Sequence, residues 1–359
     1  MKHEIEDRRD APRASTAAPS VRESSMKAIV QTGYGQPEDV LEPAAIDRPT
    51  IGDDDVLVRV RATSVNTPDW VAVAGIPYGL RLQFGLRRPK TPVRGSDVAG
   101  IVAAVGENVT DLDVGAEVFG SAWANKISTT AGTFAEYSTA PASQLIAKPG
   151  AVSFEEAAAS VMSGLTALIA IRDVGQVGQG TSLLVNGASG GVGTFAVQIA
   201  KRLGAEVTGV CSGRNVDLIR GLGADHVIDY AVEDFTKGEK RYDVILDNVM
   251  NHRPRATARV LKRGGLLIPN SVGNSGGFLA GLPRMAKAAL IGLGRTDVKF
   301  VQCVVSRENL SDLAALLESD DLDVVIDSVH LLAEAGKAVA LMLGHHARGN
   351  IVIVPELPA

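Results

Sequence analysis

Cysteine is nearly absent: Cys211 and Cys303 are the only two in 359 residues, and both fall in apolar, strand-like runs. A disulfide-stapled secreted domain would be cysteine-dense, so buried free thiols in a reducing compartment, the cytoplasm, are expected instead. Long apolar runs are also missing, and no stretch reaches the roughly 18 residues needed to span a bilayer. The nearest, Ala157 to Ile171, contains Ser160, Ser163, Gly164 and Thr166 and is flanked by Glu155, Glu156, Arg172 and Asp173, which reads as a buried core helix. A secretory leader is not evident: residues 1–25 mix acids with arginines, lack an apolar segment and read as a disordered tail. Met26-Lys27-Ala28 looks like a second, more natural start. An excess of base is lacking as well. The net charge is −5, taken as spread through the chain, whereas a nucleic-acid backbone wants clustered Lys and Arg, so no such partner is expected.

What is present is globular in composition, 45% hydrophobic and 21% charged, and too long for one core, so two domains are expected. From Met26 to about Gly150, short strand-like segments, alternating at Ala28–Gln31 and Val56–Val60 and followed by Gly95–Val105 and Ala116–Phe119, are separated by Gly, Asp and Pro, the pattern of a β-rich lobe. From Ser153 the texture changes to a helix over Phe154–Ile171 and then to alternating strands and helices, including a helix over Arg253–Leu261. That alternation means a parallel sheet covered on both faces. Three closing strands, Lys299–Val304, Val324–Ile326 and Asn350–Val354, with two helices between them, are expected to return to the first lobe. The fold class is therefore α/β. Its expected parts are a tail (1–25), a β-rich lobe (26–151 with 299–359) and a parallel-sheet domain (152–298).

Residues 183–204 read LLVNGASGGVGTFAVQIAKRLG, an apolar strand running into a glycine cluster that opens an amphipathic helix. A pyrophosphate site needs a sharp turn, close backbone approach and free N–H groups at a helix N-terminus. Gly190 and Gly193 take the second and third glycine places of the dinucleotide fingerprint and Ala188 the first, with Ser189, Gly191 and Val192 completing the turn. The next strand ends in Cys211-Ser212-Gly213-Arg214-Asn215, without the acid that usually binds an NAD ribose. Ser212 and Arg214 can instead hold a 2′-phosphate, so NADP(H) is the expected cofactor.

The blocks AKPGAVSFEEAAA, NGASGGVGTFAVQIAK, LGADHVIDY, DVILDNV and GHHARGNIVIV together resemble the medium-chain dehydrogenase/reductases, and most closely their quinone oxidoreductase, zeta-crystallin-like, branch. The resemblance covers nearly all of residues 26–356 and implies a GroES-like catalytic lobe and a Rossmann lobe with cofactor in the cleft between them. It further implies that Tyr230 lies near the 2′-phosphate, that Asn248 and Val249 pass the adenosine side, and that Asn270, Ser271 and Val272 meet the nicotinamide. Asn350 stands where the closing motif commonly has lysine. Zinc enzymes of the superfamily carry a cysteine and a histidine where this chain has Asn66 and Ser96, and the lobe has no cysteines for a structural zinc. His345-His346 reads as a surface pair, since catalytic zinc wants three protein ligands, and no metal site is expected.

Without a Lewis acid, ordinary ketones are hard to polarise. Quinones and α,β-unsaturated carbonyls need less help, because charge delocalises onto oxygen and a few donors can stabilise it. Asn66 is the candidate amide donor, Asp69 and Trp70 shape the pocket, and Tyr78 could supply a phenol. No Ser-His-Asp or Cys-His set is visible, as expected where a cofactor carries the chemistry. The sequence leaves open a hydride-transferring reductase, a one-electron quinone reductase, and an NADPH-binding structural or regulatory protein. The apolar, basic segment Gly277–Arg295 reads as a cleft or subunit contact, with a lid or membrane-surface helix as alternatives, and a homodimer is compatible with it.

Overall fold

Period-two burial shapes the first lobe of the computed structural model, which describes residues 25–123, 132–271, 282–292, 296–319, 322–344 and 347–356. The tail before Ser25, Val272 and His345-His346 lie outside the described residues. Strand β1 (Ser25–Gln31) pairs antiparallel with β2 (Leu41–Asp47) across the short helix α1 (Pro37–Val40). In β3 (Asp55–Val65), Val56, Val58, Val60 and Ala62 are buried while Arg59 and Arg61 face solvent; from Ala62 onward every residue is buried. That strand therefore begins at a solvated face and ends inside the molecule, where it leads into α2 (Thr67–Ala74), followed by α3 (Arg81–Phe84). Strands β4 (Asp97–Val105), β5 (Glu117–Ser121), β6 (Tyr137–Pro141) and β7 (Leu145–Ala147) complete the antiparallel part of this sheet.

Helix α4 (Phe154–Leu168) opens with a capping box: Glu156 N–H donates to Ser153 Oγ at 3.1 Å, and Ser153 N–H to the Glu156 carboxylate at 2.8 Å. A π-helical turn extends it to Val174. The combined helix is long and apolar enough to cross a membrane, but 83% of its most apolar window is buried within the protein. It packs on β3, β4 and β5 on one side and on the first Rossmann helix on the other, and so ties the lobes together.

The second lobe alternates β8 (Ser182–Asn186), α5 (Gly191–Arg202), β9 (Glu206–Cys211), α6 (Val216–Gly221), β10 (His226–Asp229), β11 (Tyr242–Asp247), α7 (Pro254–Ala258), β12 (Leu261–Pro269), α8 (Leu282–Ile291) and β13 (Asp297–Val298). All its strand pairs are parallel, in the order β10-β9-β8-β11-β12-β13. The order reverses between β8 and β11, which opens a crevice at the carboxyl ends of those two strands. After α9 (Arg307–Glu318), β14 (Ile326–Leu331), α10 (Ala335–Leu343) and β15 (Asn350–Val354) follow, and β15 pairs antiparallel with β3.

Three elements differ from the sequence reading. The helix expected over Arg253–Leu261 stops at Ala258, because Leu261 pairs with Tyr242 and starts β12. The strand expected over Lys299–Val304 is irregular beyond β13. Its alternation has another cause: Val301 and Cys303 pack against the large core cluster that includes α4, while Gln302 and Val304 face solvent. Cys303 is therefore not a strand residue, whereas Cys211 ends β9 as expected. The strand placed at Val324–Ile326 begins only at Ile326.

Candidate functional site

At the crevice, β8 runs into Gly187, whose φ of +78° suits glycine and where a Cβ would lie 2.7 Å from Val249 Cγ2. The turn's left-handed residue is thus Gly187, which the fingerprint reading passed over; the Asn-Gly pair ending the strand is its signal. Ala188 is buried and its N–H still bonds Val210 O at 3.0 Å. Gly190 caps α5, with nothing closer to a would-be Cβ than Gly187 O at 3.6 Å. At Gly193 a Cβ would overlap the Gly187 carbonyl oxygen and come within 2.7 Å of Ala188 Cα, so only glycine lets the helix seat on the turn. The N–H groups of Gly191, Val192 and Gly193 form the first turn of α5 and have no intrahelical acceptor, which suits a pyrophosphate. Ser189 braces the turn from both lobes: its carbonyl accepts Gly349 N–H at 2.8 Å and its hydroxyl accepts Asn215 Nδ2 at 3.0 Å. Asn350 is buried beside this seam, its backbone N–H on Val325 O at 2.9 Å.

Beyond β11, Asp247 is buried and accepts Asn186 Nδ2 at 2.7 Å, Met250 N–H at 2.8 Å and Val249 N–H at 3.2 Å; burial pushes its pKa up. These bonds fix the turn through Asn248. Asn248 Oδ1 accepts Asn270 Nδ2 at 2.8 Å, and its own Nδ2 is buried without a partner among the described residues. An orphaned amide donor between the ends of β11 and β12 fits a hydrogen-bonding face of a dinucleotide. Ser271 follows Asn270 directly, beyond the end of β12.

At the end of β9, Ser212 caps a tight turn over Gly213–Asn215, and Arg214 on it is exposed. Tyr230, 54% exposed, adjoins this turn through its N–H on Cys211 O at 3.1 Å. The three residues expected at the 2′-phosphate therefore share one edge. An acid the sequence reading missed lies beside them: a Cβ on Gly213 would meet Asp229 Oδ2 at 2.6 Å. Its other oxygen accepts Ala231 N–H at 3.0 Å. Asp217 faces solvent beside Arg220.

In the first lobe, Asn66 precedes α2 and is buried. Expected as a donor to substrate, its amide instead donates to Ser64 Oγ at 3.0 Å and Asp97 Oδ2 at 2.8 Å, which engages both N–H bonds. Asp97 is fully buried and also accepts Ser64 Oγ at 2.6 Å, Ser96 Oγ at 3.3 Å and, across the lobes, Met162 N–H of α4 at 3.1 Å. Burial pushes its pKa up to about 6, against these hydrogen bonds. Asp69 accepts Asn66 N–H at 2.8 Å and Gly95 N–H at 3.0 Å, and burial lifts it to about 7. It pins the backbone on both sides of the site. Trp70, partly buried, packs against the lobe's own core cluster, which includes Ile29 and Val65. Tyr78 lies on a 3₁₀ turn after α2, 44% exposed, with the Arg81 guanidinium 4.5 Å above its ring. Among the described residues, no three His, Cys, Asp or Glu side chains converge as a metal site would require. Asp97, the centre of this network, was missed because a carboxylate after Gly-Ser gives no local sign of what it will bind.

Comparison with known proteins agrees with this geometry. Residues 52–150 match the alcohol dehydrogenase GroES-like domain and residues 222–353 the zinc-binding dehydrogenase family. The chloroplastic quinone-oxidoreductase homolog of Spinacia oleracea is 30% identical over 344 residues, covering 92% of this chain and 98% of that protein. A trans-enoyl reductase of Aspergillus terreus is 34% identical, covering 84% of this chain and 87% of its own length. The crystal structure of Escherichia coli quinone oxidoreductase complexed with NADPH superposes with a TM-score of 0.75 at 25% identity, over 92% of this chain and 100% of that one. With a GroES-like lobe, a parallel dinucleotide-binding sheet and relatives of this kind, the chain is a nicotinamide-dependent oxidoreductase and belongs to the medium-chain dehydrogenase/reductase superfamily, in its quinone oxidoreductase branch.

Proposed function

We propose that this protein reduces quinones or α,β-unsaturated carbonyls with hydride from NADPH, without a metal, in a reducing compartment such as the cytoplasm. The observation that carries the reading is the network around Asp97. The side chains at the two places where zinc relatives carry ligands, Asn66 and Ser96, both hydrogen-bond to a buried carboxylate. Such a site orients a substrate rather than polarising it strongly, which suits acceptors that delocalise their own charge. The quinone-oxidoreductase and trans-enoyl reductase relatives support that substrate class.

The bound dinucleotide would supply the hydride. The first turn of α5 would hold its pyrophosphate, the Asn248 amide would meet one of its hydrogen-bonding faces, and Ser212, Arg214 and Tyr230 would take the 2′-phosphate. Asn270 and Ser271, beyond the carboxyl end of β12, would border the nicotinamide, and Val272 is proposed with them. Asn66 and Asp69 fix the wall of the site, and Tyr78 is the proposed donor to the substrate oxygen. A substrate panel followed by NADPH absorbance tests the reading: turnover with simple quinones or enones supports it, and tight NADPH binding without turnover points to a binding-only role.

A further inference from the structure

The charge of this chain is less evenly spread than its net value suggests. Between Asp247 and Asp297 there are eight Lys or Arg residues and no Asp or Glu. This stretch contains α7, α8 and the apolar segment Gly277–Arg295. The described part of that segment includes α8, on which Pro283 is exposed.

Helices α7 and α8 pack against each other. Arg253, Arg255 and Arg259, on and around α7, are exposed, as are Pro283, Ala286, Lys287, Ala289 and Leu290 on α8. Leu290 is 65% exposed, and Ala288 is the one buried side chain of α8 among the described residues. Of the flanking acids, Asp243 pairs with Lys262 at 2.8 Å, Asp247 is buried, and Asp297 is exposed at the start of β13.

We infer that the α7–α8 face is a docking surface for an anionic lipid bilayer. Basic groups interleaved with exposed apolar side chains on a short amphipathic helix are the composition that lies in a membrane interface: cations meet headgroups and the apolar side enters the acyl boundary. A nucleic acid or an acidic protein would be served by the charges alone and would leave Leu290 without a role. A two-fold contact between copies would set one cationic face against another and repel.

Sedimentation of the full chain with vesicles tests it. The protein should pellet with mixed phosphatidylcholine–phosphatidylglycerol vesicles at low salt, remain in solution with phosphatidylcholine alone, and be released at high salt. The double variant Arg255→Glu/Lys287→Glu should lose partitioning by on the order of a hundredfold, and Leu290→Ser by about tenfold. Both should keep the melting temperature and the soluble-quinone turnover of the parent. No binding to anionic vesicles, or equal binding to both compositions, overturns the inference. So does retained binding in the double variant when Arg87→Glu/Arg88→Glu abolishes it, which would move the surface to the exposed basic loop after α3. Competition by duplex DNA together with indifference to Leu290→Ser would overturn it in favour of a nucleic acid.

Discussion

Asp97 holds the side-chain amide of Asn66 at 2.8 Å and, with the same oxygen, the backbone N–H of Met162 in the helix that joins the lobes. One buried carboxylate thus fixes both the wall of the site and its position relative to the Rossmann lobe. Replacing it by alanine would leave the Ser64, Asn66 and Met162 donors buried without that acceptor, at about 1–3 kcal/mol for each group left unsatisfied. Asp97→Ala should therefore unfold at markedly lower denaturant, whereas Asp97→Asn, which keeps one acceptor oxygen, should lose less stability and about tenfold in kcat/KM. Denaturant melts and steady-state kinetics on both variants check this. Equal loss in the two would show that the acceptor oxygen does not matter.

The same burial gives a pH dependence. Asp69 is lifted to about 7 and Asp97 to about 6, while an unfolded aspartate titrates near 3.8. Across that window the folded chain binds more protons than the unfolded one, so these groups lower stability as pH rises. Asp69→Asn removes one of them. The stability of the parent relative to this variant should fall steadily between roughly pH 4 and pH 7 and level off above it. A difference independent of pH would mean that Asp69 stays ionised throughout.

Most of this architecture was legible because the local signals agreed with the global fold. The Val56–Val60 alternation, the Ser153–Glu156 cap and the strand–glycine–helix run at Ser182–Arg202 each carry their structure within a few residues. The site was less legible. Asn66 looked like a donor because a sequence shows an amide and not its partner 31 residues away, and Asp229 approaches Gly213 only through pairing between β9 and β10. Lys299–Val304 misled for a related reason: alternation reports which side is buried, not whether a strand partner is present.

The two turn glycines should separate folding from cofactor binding. Gly190→Ala meets nothing closer than 3.6 Å within the protein, so the melting temperature should hold while KM for the dinucleotide rises about tenfold as the methyl crowds the pyrophosphate. Gly193→Ala collides with the Gly187 carbonyl and should lower the melting temperature as well as raise KM. A Gly190→Ala protein with unchanged KM would place the pyrophosphate elsewhere.

Metal content follows from Asn66 and Ser96. The purified protein should carry far less than one zinc per chain and keep its turnover in chelator, by elemental analysis and assay. Stoichiometric zinc would require ligands other than these.

The most direct test of the central claim is the ratio of kcat/KM for NADPH to that for NADH with one simple quinone, in the parent and in Arg214→Ala. A charge-assisted pair at the 2′-phosphate contributes about 1.5–3 kcal/mol where partly shielded, which predicts a ten- to hundredfold preference for NADPH. Arg214→Ala should remove most of it through KM for NADPH alone and leave NADH kinetics nearly unchanged, because the phosphate lies far from the transferred hydride. Equal use of both cofactors by the parent would contradict the account and assign the ribose to Asp229.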